Sequence, residues 1–101
     1  MAHFIVTFRI GSDGNYQERY DSFVKKVHEL GGGVGVVWEE TTSFASLAAS
    51  HTAESLCQAL YLGSEFNSSK DIMVVIDLDA RKKATKGEVK YTGTLTSTLG
   101  F

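Results

Sequence analysis

Phe4, Val6, Phe8 and Ile10 alternate with Ile5, Thr7 and Arg9. A period of two puts one wholly apolar row on one side of a strand, and that row must be covered by another layer. The strand runs into a Gly-Ser-Asp-Gly turn and carries a cation at Arg9, where the end of such a strand projects toward a site. Whatever Arg9 contacts therefore bears on function as well as on fold.

The pattern then changes to helical spacing. In "NYQERYDSFVKKVHELGGG", Tyr16, Tyr20, Phe23, Val24, Val27 and Leu30 form a broad apolar stripe. Asn15 and Glu18 have the spacing of a capping box, and Gly31 to Gly33 supply the stop. "VGVVWEE" places Val34, Val36 and Trp38 on one side of a second strand, Thr41 and Thr42 turn the chain, and "SFASLAAS" returns as a hairpin partner. A second helix begins near Thr52, with Glu54 in its first turn and Ala53, Leu56, Cys57 and Leu60 as its buried stripe. "GSEFNSSKD" reads as a surface loop. "DIMVVIDLD" is a strand with Ile72, Val74, Ile76 and Leu78 on one side and Met73, Val75, Asp77 and Asp79 on the other. "EVKYTGTL" alternates Val89, Tyr91 and Leu95 around Gly93 as an added edge or dimer-spanning strand.

The order predicts an α+β chain, a ferredoxin-like βαββαβ sandwich with an extra C-terminal strand. One domain over residues 1–101 is expected, with its core at about 3–80 and a strand or tail at 81–101. A chain of 101 residues has room for one core but not for a deep, enclosed active site as well. Two helices cover one sheet face, and the other is expected to carry Ile5, Thr7, Met73 and Val75, which predicts a homodimer through the sheet or its edge.

The lone Cys57 has no internal partner and lies in an apolar stripe, which points to a buried thiol in a reducing, cytoplasmic setting. The first apolar run lacks the basic start and small-residue cleavage site of a signal peptide, and no stretch is long enough to span a membrane. A net charge of −2 and a pI near 5.9 argue against nucleic-acid binding through bulk charge but leave room for a local patch. "ARKKATKG", with Arg81, Lys82, Lys83 and Lys86, reads either as a solvated basic loop or as a phosphate-binding patch.

The segments "FIVTFRI", "YQERYDSFVKKVHELGG", "TTSFASLAASHTAESLCQAL" and "KDIMVVIDL", over roughly residues 3 to 80, resemble the SinR-like group of small bacterial proteins. That group is similar to the small CRISPR-associated proteins of the spacer-acquisition complex and, more distantly, to the VapD toxins. The resemblance implies a homodimer. In several CRISPR-associated members it also implies cleavage of RNA or DNA by a metal held by an Asp at the end of the first strand, one from each subunit. The family strand ends in Tyr-Asp, and the matching pair in this sequence is Phe8 and Arg9. Arginine is always cationic and ligates no divalent ion, but it grips phosphate through bidentate hydrogen bonds.

Two readings of Arg9 follow, a phosphate contact or a sheet-surface ion pair with Asp77 or Asp79. Asp77 and Asp79, two apart on a strand, read either as half of a hard-cation site that Asp13, Glu39 and Glu40 would complete, or as salt-bridge partners. His3, His28 and His51 have no partner at metal-ligand spacing, and His28 beside the helix stripe is expected to be half-buried. "GGGVG" follows a helix and lacks the Lys-Ser/Thr ending of a phosphate loop. Tyr16, Tyr20, Phe23, Trp38 and Phe44 read as core or dimer packing; a base-stacking platform needs aromatics exposed on the open sheet face beside Arg or Lys.

The leading expectation is a non-catalytic homodimeric binding or assembly module without a cofactor, with Arg9, Lys82 and Lys83 as contacts to RNA or DNA. One competing reading is a divergent endoribonuclease using Mg or Mn on Asp77 or Asp79. Another is a dimeric sensor of a small ligand.

Overall fold

The computed structural model describes residues 1–101. In chain order it holds β1 (Ala2–Arg9), α1 (Tyr16–Gly31), β2 (Phe44–Ala49), α2 (Ala53–Leu62), β3 (Ile72–Asp77), β4 (Lys82–Lys86) and α3 (Thr92–Leu99). The four strands form one antiparallel sheet in the order β2-β1-β3-β4. This is the ferredoxin-like βαββαβ arrangement with its second strand reduced to a bridge beside β2 and with β4 and α3 added at the C-terminal end, α1 and α2 covering one face.

The strand expected over "VGVVWEE" is reduced to single bridges. Trp38 exchanges backbone hydrogen bonds with Ser46 at 3.0 and 2.9 Å, marking where the strand would lie beside β2. Gly33 and Gly35, at φ of 112° and 87°, break the extended run, and the Gly33 carbonyl accepts from Val36 and Val37 in a turn. The next residue, Val37, drops into the core instead.

Phe4, Val6 and Phe8 of β1 and Met73 and Val75 of β3 pack beneath α1 and α2 against Phe23, Val27, Leu56 and Leu60. The Phe8 and Phe23 rings lie 4.7 Å apart. The expectation that Met73 and Val75 occupy the open face is therefore corrected, since both are fully buried. The register pairs Ile5 with Ile76, Thr7 with Val74 and Arg9 with Ile72, so Ile72, Val74 and Ile76 lie on the outer face with Ile5.

α2 starts as expected: the Thr52 side chain accepts from the Ser55 backbone N–H, and the Ser55 hydroxyl accepts in return. Asn15 makes no such cap at α1, because its side-chain oxygen accepts from Arg19. α1 does end on glycine, with Gly32 left-handed at φ 101° and its N–H on the His28 carbonyl.

Two C-terminal expectations are overturned. "KKATK", read as part of a basic loop, is strand β4, paired with β3 from Asp77–Lys82 to Met73–Lys86. "EVKYTGTL", read as a strand, passes instead into helix α3, whose Leu95 and Leu99 are its half-buried residues, one turn apart. Its hydroxyls bond back along the helix, Thr98 to the Thr94 carbonyl at 2.7 Å and Ser97 to the same oxygen at 3.3 Å. No helix is long and apolar enough to cross a membrane.

Candidate nucleic-acid interface

β1 delivers Arg9 to the outer sheet face because it lies an even number of residues from Ile5 and Thr7. The side chain is exposed and makes no ion pair. Its predicted pairing with Asp77 or Asp79 fails on register: Arg9 lies opposite Ile72, whereas Asp77 lies opposite Phe4 at the far end of β1.

α3 crosses the outer face and leaves a groove of about 610 Å³ between itself and the sheet. Ile72 and Val74 line its floor, Leu95, Thr94 and Thr98 its helical wall, and Arg9, Glu88, Lys90 and Tyr91 its mouth. Tyr91 is 75% exposed. A smaller hollow continues from Arg9, Glu88 and Lys90 to Lys70, whose ammonium is 2.9 Å from Asp13. An apolar trough with Arg9 and Lys90, neither in an ion pair, at one end beside Glu88 suits a ligand that is part anion and part flat or aliphatic body.

Lys82 and Lys83 do not join Arg9. Lys82 pairs in register with Asp77 on the helix-covered face, while Lys83 points outward. The Ile76 to which Lys83 pairs lies four residues from Ile72, about 13 Å along the sheet at ~3.3 Å per residue. Lys83 donates to the Phe101 carbonyl at 2.6 Å, and the Arg81 guanidinium lies 5.0 Å over the Phe101 ring, so both hold the end of the tail.

The acidic pair is likewise separated. Asp77 is buried, and its Oδ1 accepts from the backbone N–H groups of Asp79 and Ala80 at 3.0 and 2.9 Å, forming the β3–β4 turn. β3 ends at Asp77, so Asp79 does not share its strand face. Asp79 instead accepts from the His3 backbone at 2.8 Å and faces the His3 ring at 2.9 Å, contacts that hold its carboxyl below the usual range. Asp13 is taken up by Lys70 and Arg19, which lower its pKa in the same way. Glu39 meets His28, and Glu40 accepts from the Trp38 indole at 3.0 Å. His51 bonds Ser55 within the turn that starts α2. No group of three or more His, Cys, Asp or Glu side chains is placed to hold a metal ion.

Arg19 and Asp71, which the sequence reading passed over, are both buried. Around them the loop after β1 is locked to the segment before β3, with Asp71 accepting from Gly11 N–H and Asn67 N–H at 2.8 Å each. The one available sequence signal was an arginine inside the α1 stripe, at the position that faces the core. Lys90 and Tyr91 were also missed as site residues, because their segment read as a strand.

Compared with known proteins, the chain matches no family model, no curated protein and no solved structure.

Proposed function

We propose that this protein is a non-catalytic, homodimeric binding module of the cytoplasm that holds nucleic acid by its phosphates at the Arg9 end of the outer sheet face. The observation that supports it is the Arg9 guanidinium, exposed and without a carboxylate partner, at the mouth of the groove beside Lys90. In several of the CRISPR-associated proteins to which the resembled SinR-like group is similar, a metal-binding carboxylate stands at this strand position. A cation there repels a divalent ion and favours phosphate. The carboxylates of the endoribonuclease alternative, Asp77 and Asp79, are engaged in a turn and with His3.

Dimerisation is supported by the edge beside β2. Val34, Val36 and Trp38 are 84, 68 and 42% exposed there, along a segment that leaves most of the β2 edge unpaired. A second copy joined at this edge leaves the groove open. Light scattering at micromolar concentration is expected to give the mass of a dimer; a monomer alone would remove this part of the reading.

Binding is tested by the anisotropy of end-labelled RNA and DNA as salt is raised. Two cations at the groove predict a slope of log affinity against log salt of about −1.4 for single strands. Arg9→Ala is expected to weaken binding and flatten that slope. A denaturing gel with magnesium, manganese or a chelator is expected to show intact strands throughout. Metal-dependent cleavage lost in Asp77→Ala would transfer the function to the last strand of the core. The small-ligand reading is favoured by the apolar floor of the groove and predicts binding that hardly responds to salt.

A further inference from the structure

Resting on the nucleic-acid reading above, we infer that the groove between α3 and the sheet takes an unpaired nucleotide, so that the protein selects single strands over duplexes. The floor is made by Ile72 and Val74, which offer no polar side-chain atom to a phosphate backbone, and Leu95 adds an apolar surface to a helical wall shared with Thr94 and Thr98. A duplex keeps its base faces stacked inside and presents sugar, phosphate and mainly polar base edges, which would leave this apolar surface without a flat partner. An unpaired base presents a flat face that covers it.

Tyr91 stands at the mouth, the residue 75% exposed and its ring stacked on no other aromatic. It opens on the same groove as Arg9 and Lys90, the cations that would receive the flanking phosphates. An exposed aromatic beside arginine and lysine, here at the start of α3, is the arrangement that binds single strands by stacking. Charge alone would serve poorly here, because only these two cations adjoin the groove, Glu88 lies among them, and the chain as a whole carries −2.

The test is the anisotropy of a short labelled oligonucleotide, offered alone and annealed to its complement, titrated with the full chain and with Tyr91→Ala, Tyr91→Phe and Arg9→Ala. The single strand is expected to bind about tenfold or more tighter than the duplex, with that preference lost in Tyr91→Ala and kept in Tyr91→Phe. Arg9→Ala is expected to weaken both. Because Tyr91 is so exposed, the melting temperature of its variants should match the parent and exclude misfolding as a cause. Equal binding of the two forms, still dependent on Arg9, would overturn this inference and leave the phosphate-binding reading standing. A Tyr91→Ala variant that keeps the preference would also overturn it. Binding of neither form would remove the nucleic-acid reading itself, and this inference with it.

Discussion

Arg19 and Asp71 form a bidentate ion pair in the interior, with Nε to Oδ2 and Nη2 to Oδ1 both at 3.2 Å and the side chains 2% and 0% exposed. The remaining guanidinium donors reach the Gly11 carbonyl at 2.8 Å, the Asp13 carboxylate at 2.9 Å and the Asn15 side chain. Such a pair adds little net stability over an apolar replacement, but losing one member strands the other charge. Asp71→Ala should therefore cost about 3–5 kcal/mol, a large share of the roughly 5–15 kcal/mol that holds a domain together. Urea unfolding followed by circular dichroism measures it, and a midpoint close to the parent's would show the pair to be dispensable.

Gly87 follows β4 at φ 97°, and a Cβ there would collide with the Asp71 carbonyl. The backbone conformation and the collision both oppose a side chain. Gly87→Ala should lower the melting temperature by several degrees, corresponding to about 2 kcal/mol or more. Gly14 has open space around its Cβ position and no positive φ, so Gly14→Ala should change stability by no more than about 1 kcal/mol.

Acid should weaken the fold through two surface carboxylates. Lys70 and Arg19 lower Asp13, and His3 lowers Asp79, both from an ordinary value of 3.8. A carboxyl depressed in the folded state contributes stability that is complete above its unfolded pKa and is lost as pH falls through the folded one. The urea midpoint should thus decline below about pH 4, and Asp13→Asn and Asp79→Asn should each make that decline shallower. Both groups are half-exposed, so added salt should shrink the effect. Parallel pH profiles in parent and variants would refute the assignment.

Cys57 is buried, and desolvation pushes its thiol pKa up. Less thiolate and little access both slow alkylation. Iodoacetamide at mildly alkaline pH should modify Cys57 at least about tenfold more slowly in the native chain than in urea, read by mass spectrometry. Equal rates would show that α2 opens readily from the sheet.

α3 rests on the sheet through half-buried Leu95 and Leu99, with no residue of the helix fully buried. Replacing both leucines by Ala should expose the last residues to proteolysis while leaving the unfolding midpoint of the sheet within about 1 kcal/mol of the parent. A large loss of global stability would mean that α3 belongs to the core.

The elements written in strong periodicity were legible. β1, α1, α2 and β3 follow from apolar spacings of two or of three and four, and the stop of α1 at Gly32 and the start of α2 at Thr52 from local backbone chemistry. The strand expected at Val34 does not form, because β propensity competes there with glycines that adopt left-handed conformations.

What the sequence by itself determined is the ferredoxin-like core, since apolar rows on named strands and helices leave few ways to bury themselves. The placement of Asp77 and Asp79 apart, the burial of Arg19 and the freedom of Arg9 were decided by the tertiary structure. Each depends on which residue lies across a neighbouring strand or loop, and sequence spacing carries no record of that register. The C-terminal segment shows the same division. Lys82–Lys86 has little apolar periodicity, yet it forms a strand because β3 presents an edge to the hairpin that follows it. Thr92–Leu99 has the composition of a strand, yet it coils because that conformation half-buries Leu95 and Leu99 one turn apart, Leu95 joining the wall of the groove at which Arg9 and Tyr91 meet.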